Sequence, residues 1–296
     1  MLESFTNKEK LYQSGKCMVF RGKQLKDGRS VILKVPHKPG AKADRIRYEF
    51  EIGKQIHSDF VVKFIDLKTD TEYGYILIEE DDQGESLANC IPQTGFELLE
   101  FLRIAIQLVK GLQAIHRSKV IHQDIQPSNI IIQQESGLVK YIDFGSSLSL
   151  QQIKQMTASR YISEGTLAYI SPEQLGRINR RINYCTDFYS MGVTFYQLAC
   201  GKLPFTANNA RELIRCHVAQ QPIALHEIKS SIPVPLSNIV MKLLQKDPDD
   251  RYQSAHGLLI DLKKCYQDLM EKGQIIPFIL AQHDFAERFS LPQKLY

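Results

Sequence analysis

The chain reads as an α+β protein of two lobes, strand-rich at first and helical afterwards. Three observations predict this. Short β-type runs fill the first 80 or so residues, with one helix among them. Helical periodicity takes over after Gly84, and strands followed by helices is the α+β order. The length of 296 residues suits one large domain or two lobes. A composition of 43% hydrophobic and 24% charged residues excludes a disordered chain, a collagen-like chain and a disulfide scaffold. Lys and Arg number 37 against 33 Asp and Glu, and a net charge of +4 is too small to imply a nucleic-acid partner.

The elements follow in order. Met18–Arg21 and Val31–Val35 are β-type runs separated by the turn signal Lys26-Asp27-Gly28. Arg45 to Ile56 reads as a charged helix with Ile46, Phe50 and Ile52 or Gly53 near one side. Val61–Leu67 and Tyr73–Glu79 read as two more strands joined at Thr69–Thr71. Apolar residues then recur at three and four from Leu98 through Leu108 to Ile115, the spacing of a buried amphipathic helix. Ile130–Ile132 and Val139–Ile142 are short strands around the turn Glu135-Ser136-Gly137. Residues 187–200 form an apolar helix stopped by Gly201 and Pro204. Residues 211–218, 235–245 and 254–271 look helical as well. The expected division is a first lobe over 1–82, a second over 83–275 and a tail over 276–296. A hinge is expected near 79–85, and clefts between lobes are common ligand sites.

Six cysteines are scattered with no C-x-x-C and no zinc spacing. The start lacks the basic stretch and apolar run of a signal peptide, and no run of 18 apolar residues suggests a membrane span. A reducing cytoplasm is the natural setting.

The chemistry concentrates in Ile121-His122-Gln123-Asp124-Ile125-Gln126-Pro127-Ser128-Asn129 and, nineteen residues after Asp124, in Asp143-Phe144-Gly145. Asn129 and Asp143 are oxygen ligands at strand ends, a set that suits Mg²⁺. Asp124 is then free to accept or orient a hydroxyl proton. Read alone, Asp143-Phe144-Gly145 is an ordinary turn after a strand; the upstream Asp-x4-Asn loop at this spacing argues otherwise.

These stretches resemble the catalytic loop and the Mg-binding motif of the protein kinase family. The resemblance extends over about residues 8–270 in order and spacing. Val31-Ile32-Leu33-Lys34 resembles the strand bearing the phosphate-binding lysine, and Glu49 stands where its helix partner belongs, with Glu51 as the fallback. Ser171-Pro172-Glu173 resembles the end of the activation segment, with Arg251 as the implied partner of Glu173. Asp187 resembles the residue that anchors the catalytic loop, and Tyr189 replaces the usual Trp; the chain has no Trp. Glu173, Arg251 and Asp187 are structural in this reading. A finer match, on His122–Asn129, Gly165–Gln174 and Gln83–Leu87, is similar to the N-terminal serine/threonine kinase module of large bacterial signalling proteins. There the kinase is followed by an ATPase-like domain, a GAF sensor and often a histidine kinase. The tail Phe289–Tyr296 is similar to the junction into that next domain, so it is expected to be a linker cut short.

The chain departs from the family at named places. The three glycine positions of the expected phosphate loop hold Tyr12, Ser14 and Cys17, with only Gly15 nearby, so the backbone cradle is weakened or reshaped. Gln123 replaces the catalytic-loop Arg that meets an activation-segment phosphate, which implies no requirement for phosphorylation there. Gln126 replaces the usual Lys, giving less charge stabilisation of the transferring group. Thr166 matches the threonine near the substrate hydroxyl and implies Ser/Thr acceptors.

The resemblance implies an ATP-dependent serine/threonine protein kinase. Lys34 and Glu49 would position ATP with Asp124 as the catalytic aspartate. Ser14, Gly15, Val19 and Glu79 would line the nucleotide site, and Asn129 and Asp143 would hold Mg²⁺. The implied partner is a protein with a Ser or Thr acceptor. A pseudokinase is the alternative, motivated by the glycine loop and Gln126; a small-molecule kinase is a third, opposed by the complete Ser171-Pro172-Glu173 segment. Arg177, Arg180 and Arg181 read as a solvated face or, alternatively, as a preference for acidic substrates.

Overall fold

Strict alternation along two central strands sets the first sheet. Val31, Leu33 and Val35 are buried on one face with Ile76, Ile78 and Phe5, and Met18, Phe20 and Tyr73 pack against them. The residues between them, Ile32 and Lys34, point to the other face. A computed structural model of the chain describes residues 4–15, 17–37, 43–149, 164–176 and 180–285. They form two compact units.

The first unit contains β1 (Phe5–Gln13), β2 (Cys17–Gln24), β3 (Ser30–Pro36), α1 (Ala43–Gly53), β4 (Phe64–Asp70) and β5 (Gly74–Glu80). The sheet order is β1-β2-β3-β5-β4, with every pair antiparallel. Gly28, at φ 69°, makes the turn between β2 and β3 as the sequence implied. Helix α1 lies so close to β4 that a Cβ on Gly53 would come within 2.2 Å of the Phe64 ring. The strand expected from Val61 begins only at Phe64. The preceding backbone pairs elsewhere, with Val62 N–H donating to Tyr141 O at 3.0 Å and Tyr141 N–H donating to Phe60 O at 2.9 Å.

The same unit continues through β6 (Glu85–Ser86), α2 (Leu87–Cys90) and, after the last turn of α3 (Leu98–Arg117), β7 (Val120–Ile121), β8 (Ile130–Ile132), β9 (Val139–Tyr141) and β10 (Leu148–Ser149). β6, β8 and β9 form one small sheet, and β10 pairs with β7. β8 and β9 stand where short strands were expected, at Ile130–Ile132 and Val139–Ile142, whereas β6, β7 and β10 are two residues each, too short for periodicity to reveal.

The second unit holds most of α3, the segment Asp124–Gln126 and the described chain from 164 onward. Its helices are α4 (Cys185–Cys200), α5 (Ala210–Ala219), α6 (Leu225–Ile228), α7 (Val234–Leu243) and α8 (Ala255–Lys272). Fifteen of the sixteen residues of α4 are buried, which makes it the axis of this unit. Gly201 ends it in the left-handed region at φ 74°. Phe101 of α3 meets Phe195 of α4 edge-on at 5.7 Å. Ser254 caps α8 by accepting from Gly257 N–H.

Beyond α8 the chain doubles back. Ala281 N–H donates to Asp261 Oδ2 at 2.8 Å. Asp284 accepts from Gln253 N–H at 2.6 Å, Ser254 N–H at 2.8 Å and the Ser254 hydroxyl at 2.7 Å. A Cβ on Gly257 would stand 2.5 Å from that of Asp284, so the close approach requires glycine. Thus residues 281–284 are anchored at the start of α8, while Phe289–Tyr296 lies outside the described residues. No helix among the described residues is long and apolar enough to cross a membrane.

Candidate active site

Register brings the first set of candidate residues onto one face of the sheet. Val19 of β2 and Leu77 of β5 both stand opposite Lys34. Ile32 stands opposite Glu79. Residues opposite each other, and those two apart on one strand, share a face. Lys34 and Glu79 are therefore diagonal neighbours, on the face that α1 reaches with Glu49. Lys34 Nζ donates to Glu49 Oε1 at 2.7 Å and lies 3.1 Å from Asp143 Oδ1. Glu49, not Glu51, makes this pair: Glu51 is at the surface, 3.0 Å from Arg47.

Helix α1 is fastened to the Asp143-Phe144-Gly145 segment by three side chains at i, i+3 and i+4, one helical face. Arg45 Nη2 donates to Ser146 Oγ at 3.3 Å, Tyr48 OH to Ser147 O at 3.0 Å, and Phe144 N–H donates to Glu49 Oε1 at 3.2 Å. A Cβ on Gly145 would come 3.0 Å from Arg45 Nε, so glycine leaves room for the guanidinium. Phe144 is fully buried against Phe64 and His122. Asp143 sits at φ 62°, in the left-handed region rare for non-glycine residues. Gly145 N–H donates to its Oδ1 at 3.1 Å. Asn129 ends the 3₁₀ turn Pro127–Asn129, and its carbonyl accepts from Ile142 N–H at 3.0 Å, which brings it beside Asp143.

The electrostatics follow from this crowding. Burial works against the Lys34 charge, but Asp143, Glu49 and Glu79 together lift its pKa well above the ordinary lysine value. Burial also works against ionisation of Asp143, yet Lys34 and the Gly145 N–H hold it well below the usual carboxylate range. Glu49 is raised, chiefly by burial, with Lys34 opposing. Glu79 is pushed up to about 8, first by burial and then by the Glu49 charge. An ionised, partly accessible Asp143, with the backbone of Asn129 bonded to the residue before it, offers with Asn129 a fitting donor pair for a hard divalent cation.

The phosphate-loop candidates form the tip of the β1–β2 hairpin. Ser14 N–H donates to Cys17 O at 2.9 Å, and Ser14 Oγ accepts from Cys17 N–H at 3.2 Å. Gly15 is not among the glycines at positive φ and has no atom within 4 Å of where its Cβ would be. A Ser-supported turn thus replaces a glycine cradle.

In the second unit, Gln126 Nε2 donates to Asp124 Oδ1 at 2.6 Å, so the residue that replaces the usual Lys orients the aspartate. Thr194 of α4 donates to Ile125 O at 3.4 Å. Glu173 and Arg251 form a bidentate pair at 2.7 and 3.0 Å with both side chains fully buried. Arg251 also donates to the carbonyls of Gln245, Cys185 and Lys246, and its guanidinium lies 4.9 Å from the Tyr189 ring centroid. Asp187 is fully buried on α4. Tyr189 OH lies 3.0 Å from His217 Nδ1, a bond that a Trp could not make in the same way. The Thr166 side chain, Thr157, Ser159, Ser163 and Arg177 lie outside the described residues. Arg180 is engaged by Asp247 at 2.7 Å and Asp249 at 3.1 Å, while Arg181 is exposed.

Sequence reasoning did not single out Arg45 and Tyr48; their spacing from Glu49 was the available signal. It also missed Lys140, which donates to Glu80 Oε1 at 2.9 Å and Asp82 Oδ1 at 2.8 Å and pins the segment after β5.

A strand lysine paired with a helix glutamate, an ionised aspartate after a strand and a separate loop aspartate define a phosphoryl-transfer class of fold. The sequence matches the protein kinase domain family over residues 5–261, and the chain belongs to that family. Among similar proteins is one named probable serine/threonine-protein kinase from Clostridium perfringens, 32% identical over 209 residues, covering 70% of this chain and 30% of that protein. Another is hybrid signal transduction histidine kinase G of Dictyostelium discoideum, 31% identical over 243 residues, covering 60% of this chain and 7% of that protein. The chain thus spans well under half the length of these curated relatives. The crystal structure of Rad53 residues 1–466 in complex with AMP-PNP shares the fold at a TM-score of 0.70 and 23% identity, over 87% of this chain and 64% of that one.

Proposed function

We propose that the chain is an ATP-dependent serine/threonine protein kinase module of a larger signalling protein. The observation that carries this reading is the Glu49 bridge, in which one carboxylate oxygen accepts from both Lys34 and the Phe144 backbone. Together with the direct Lys34–Asp143 contact and the Arg45 and Tyr48 bonds, it supports a fixed register of the lysine and Asp143. Retention of Lys34, Glu49, Asp124, Asn129 and Asp143 together supports transfer over a pseudokinase role, as do the relatives named as serine/threonine-protein kinases.

In this reading Lys34 binds the α- and β-phosphates, and Ser14, Gly15 and Val19 cover the nucleotide. Asn129 and Asp143 hold Mg²⁺, which would neutralise charge on the phosphate oxygens. Asp124, oriented by Gln126, accepts the proton of a Ser or Thr hydroxyl as its oxygen bonds to the γ-phosphorus and ADP leaves. Positioning and electrostatics supply most of the rate. Gln126 brings no positive charge, so turnover is slow. Thr166 favours Ser/Thr acceptors, and the setting is the cytoplasm. The exposed Arg181 supports a preference for acidic sequence near the acceptor. The test is a thermal shift with Mg-ATP, with mass-spectrometric mapping of phosphate on a general protein acceptor. A shift with phospho-Ser and phospho-Thr products supports the reading; a shift without transfer favours the pseudokinase.

A further inference from the structure

The segment before α3 is clamped against the end of α4. Phe96 N–H donates to Leu198 O at 2.8 Å. Gly95, at φ 76°, passes so close that a Cβ there would stand 2.3 Å from Ala199 O, so only glycine fits. From another side, Lys229 Nζ donates to Thr94 O at 3.0 Å, across 135 positions of sequence. The walls fixed in this way enclose a cavity of about 180 Å³, and every residue that lines it belongs to the second unit.

Floor and mouth differ in chemistry. Phe96, Phe101, Ala199, Ile232 and Leu236 line the cavity and are buried. Glu97 and Ser231 line it as exposed residues, and Lys229 as a half-buried one. Packed interiors leave few such spaces, because empty apolar volume costs stability. Water is a poor filling, since a buried water needs several polar partners that the floor does not offer. An apolar cavity of about 150 Å³ stays dry and takes up benzene. This one therefore has room for one aromatic or branched aliphatic group.

The mouth adds two opposite charges. Among the described residues neither Lys229 nor Glu97 forms an ion pair, with the other or with any third residue. A purely anionic ligand would gain Lys229 but meet Glu97, and a purely cationic one would gain Glu97 but meet Lys229. A zwitterion satisfies both. An α-amino acid carries ammonium, carboxylate and side chain on one carbon, which matches two charges set over an apolar floor.

We propose that this cavity binds a free apolar α-amino acid of leucine or phenylalanine size, with its side chain on the floor, its carboxylate on Lys229 and its ammonium on Glu97. The site shares no residue with the nucleotide site proposed above and does not rest on it.

The test is calorimetric titration of the whole chain with phenylalanine, leucine and alanine, and with two analogues that each keep one charge, phenylpropionate and phenethylamine. Phenylalanine and leucine are expected to bind. Alanine, which leaves the floor empty, and both analogues are expected to bind weaker by about tenfold or more. Lys229→Gln keeps a donor for Thr94 O; it should weaken phenylalanine and phenylpropionate by about tenfold and leave phenethylamine unchanged. Glu97→Gln, at an exposed position, should weaken phenylalanine and phenethylamine and leave phenylpropionate unchanged. A merely structural Lys229 would weaken all ligands alike, and that result overturns the proposal. So does an analogue that binds as tightly as phenylalanine, or a phenylalanine affinity equal in all three proteins. No binding of phenylalanine or leucine up to about 10 mM overturns it as well.

Discussion

Glu49 Oε1 accepts from Phe144 N–H at 3.2 Å while it holds Lys34 Nζ at 2.7 Å. One buried carboxylate therefore ties the helix, the central strand and the segment after β9 into a single arrangement. Replacing Glu49 with Ala strands the Phe144 N–H and leaves Lys34 with Asp143 as its remaining anionic contact. Leaving a buried donor unpaired costs about 1–3 kcal/mol. Urea unfolding should show that loss, and Glu49→Gln, which keeps an acceptor for Phe144, should lose less.

The fastening of α1 uses Arg45, Tyr48 and Glu49, with no phosphate among the partners. Together with Gln123 in place of Arg, this predicts that activity does not depend on activation-segment phosphorylation. Ser149, Thr157, Ser159 and Ser163 changed together to Ala should transfer phosphate at close to the wild-type rate. Ser147 does not belong in that set: it is fully buried and donates to His122 O at 3.2 Å, so its loss would report stability instead. A large drop in the fourfold variant would refute the prediction.

Two buried groups give opposite pH slopes. His217 is pushed down to about 4, first by burial and then by the Lys246 charge. The unfolded chain takes up the proton near pH 6.5 and the folded chain does not, so stability falls as pH drops from about 6.5 to 4, by about 3 kcal/mol at the limit. Glu79, raised to about 8, acts the other way. Its unfolded form ionises near pH 4.3, so stability falls as pH rises from there to about 8. The two slopes offset each other between about pH 4.3 and 6.5, so melting temperatures should fall with rising pH there once His217→Gln removes one of them, and the fall from about 6.5 to 8 should vanish in Glu79→Leu.

Asp284 lies beyond the residues matched to the family, yet its carboxylate accepts three hydrogen bonds at the start of α8. Asp284→Ala strands two backbone N–H groups and should cost about 1–3 kcal/mol. Thermal melts of the variant and of a chain ending at residue 272 should both shift down. Unchanged melting in both would show the anchor to be idle.

The long elements were legible because their periodicity is long. Leu98 to Ile115 and the alternation of Val31, Leu33 and Val35 each carry several repeats of one signal. The short strands β6, β7 and β10 carry none, and tertiary pairing with other segments creates them. Val61–Lys63 looked like strand because β-branched residues fit either a ladder or a buried connection. At the site, Lys34 and Asp143 were readable from motifs, and geometry separated Glu49 from Glu51 by burial. The anchoring by Asp284 was not readable, since a lone aspartate thirty residues from Ser254 has no local signature. Glu79 Oε1, buried with no hydrogen-bond partner, was equally hidden, because an unpaired atom is visible only when its neighbours' partners are known.

Transfer of labelled γ-phosphate from Mg-ATP to a protein acceptor tests the central claim most directly, with Lys34→Met and Asp124→Asn as companions. The predicted result is Ser/Thr labelling by the wild type and a loss of about 10²-fold or more in each variant. Equal labelling by all three proteins, or none by the wild type, would contradict it.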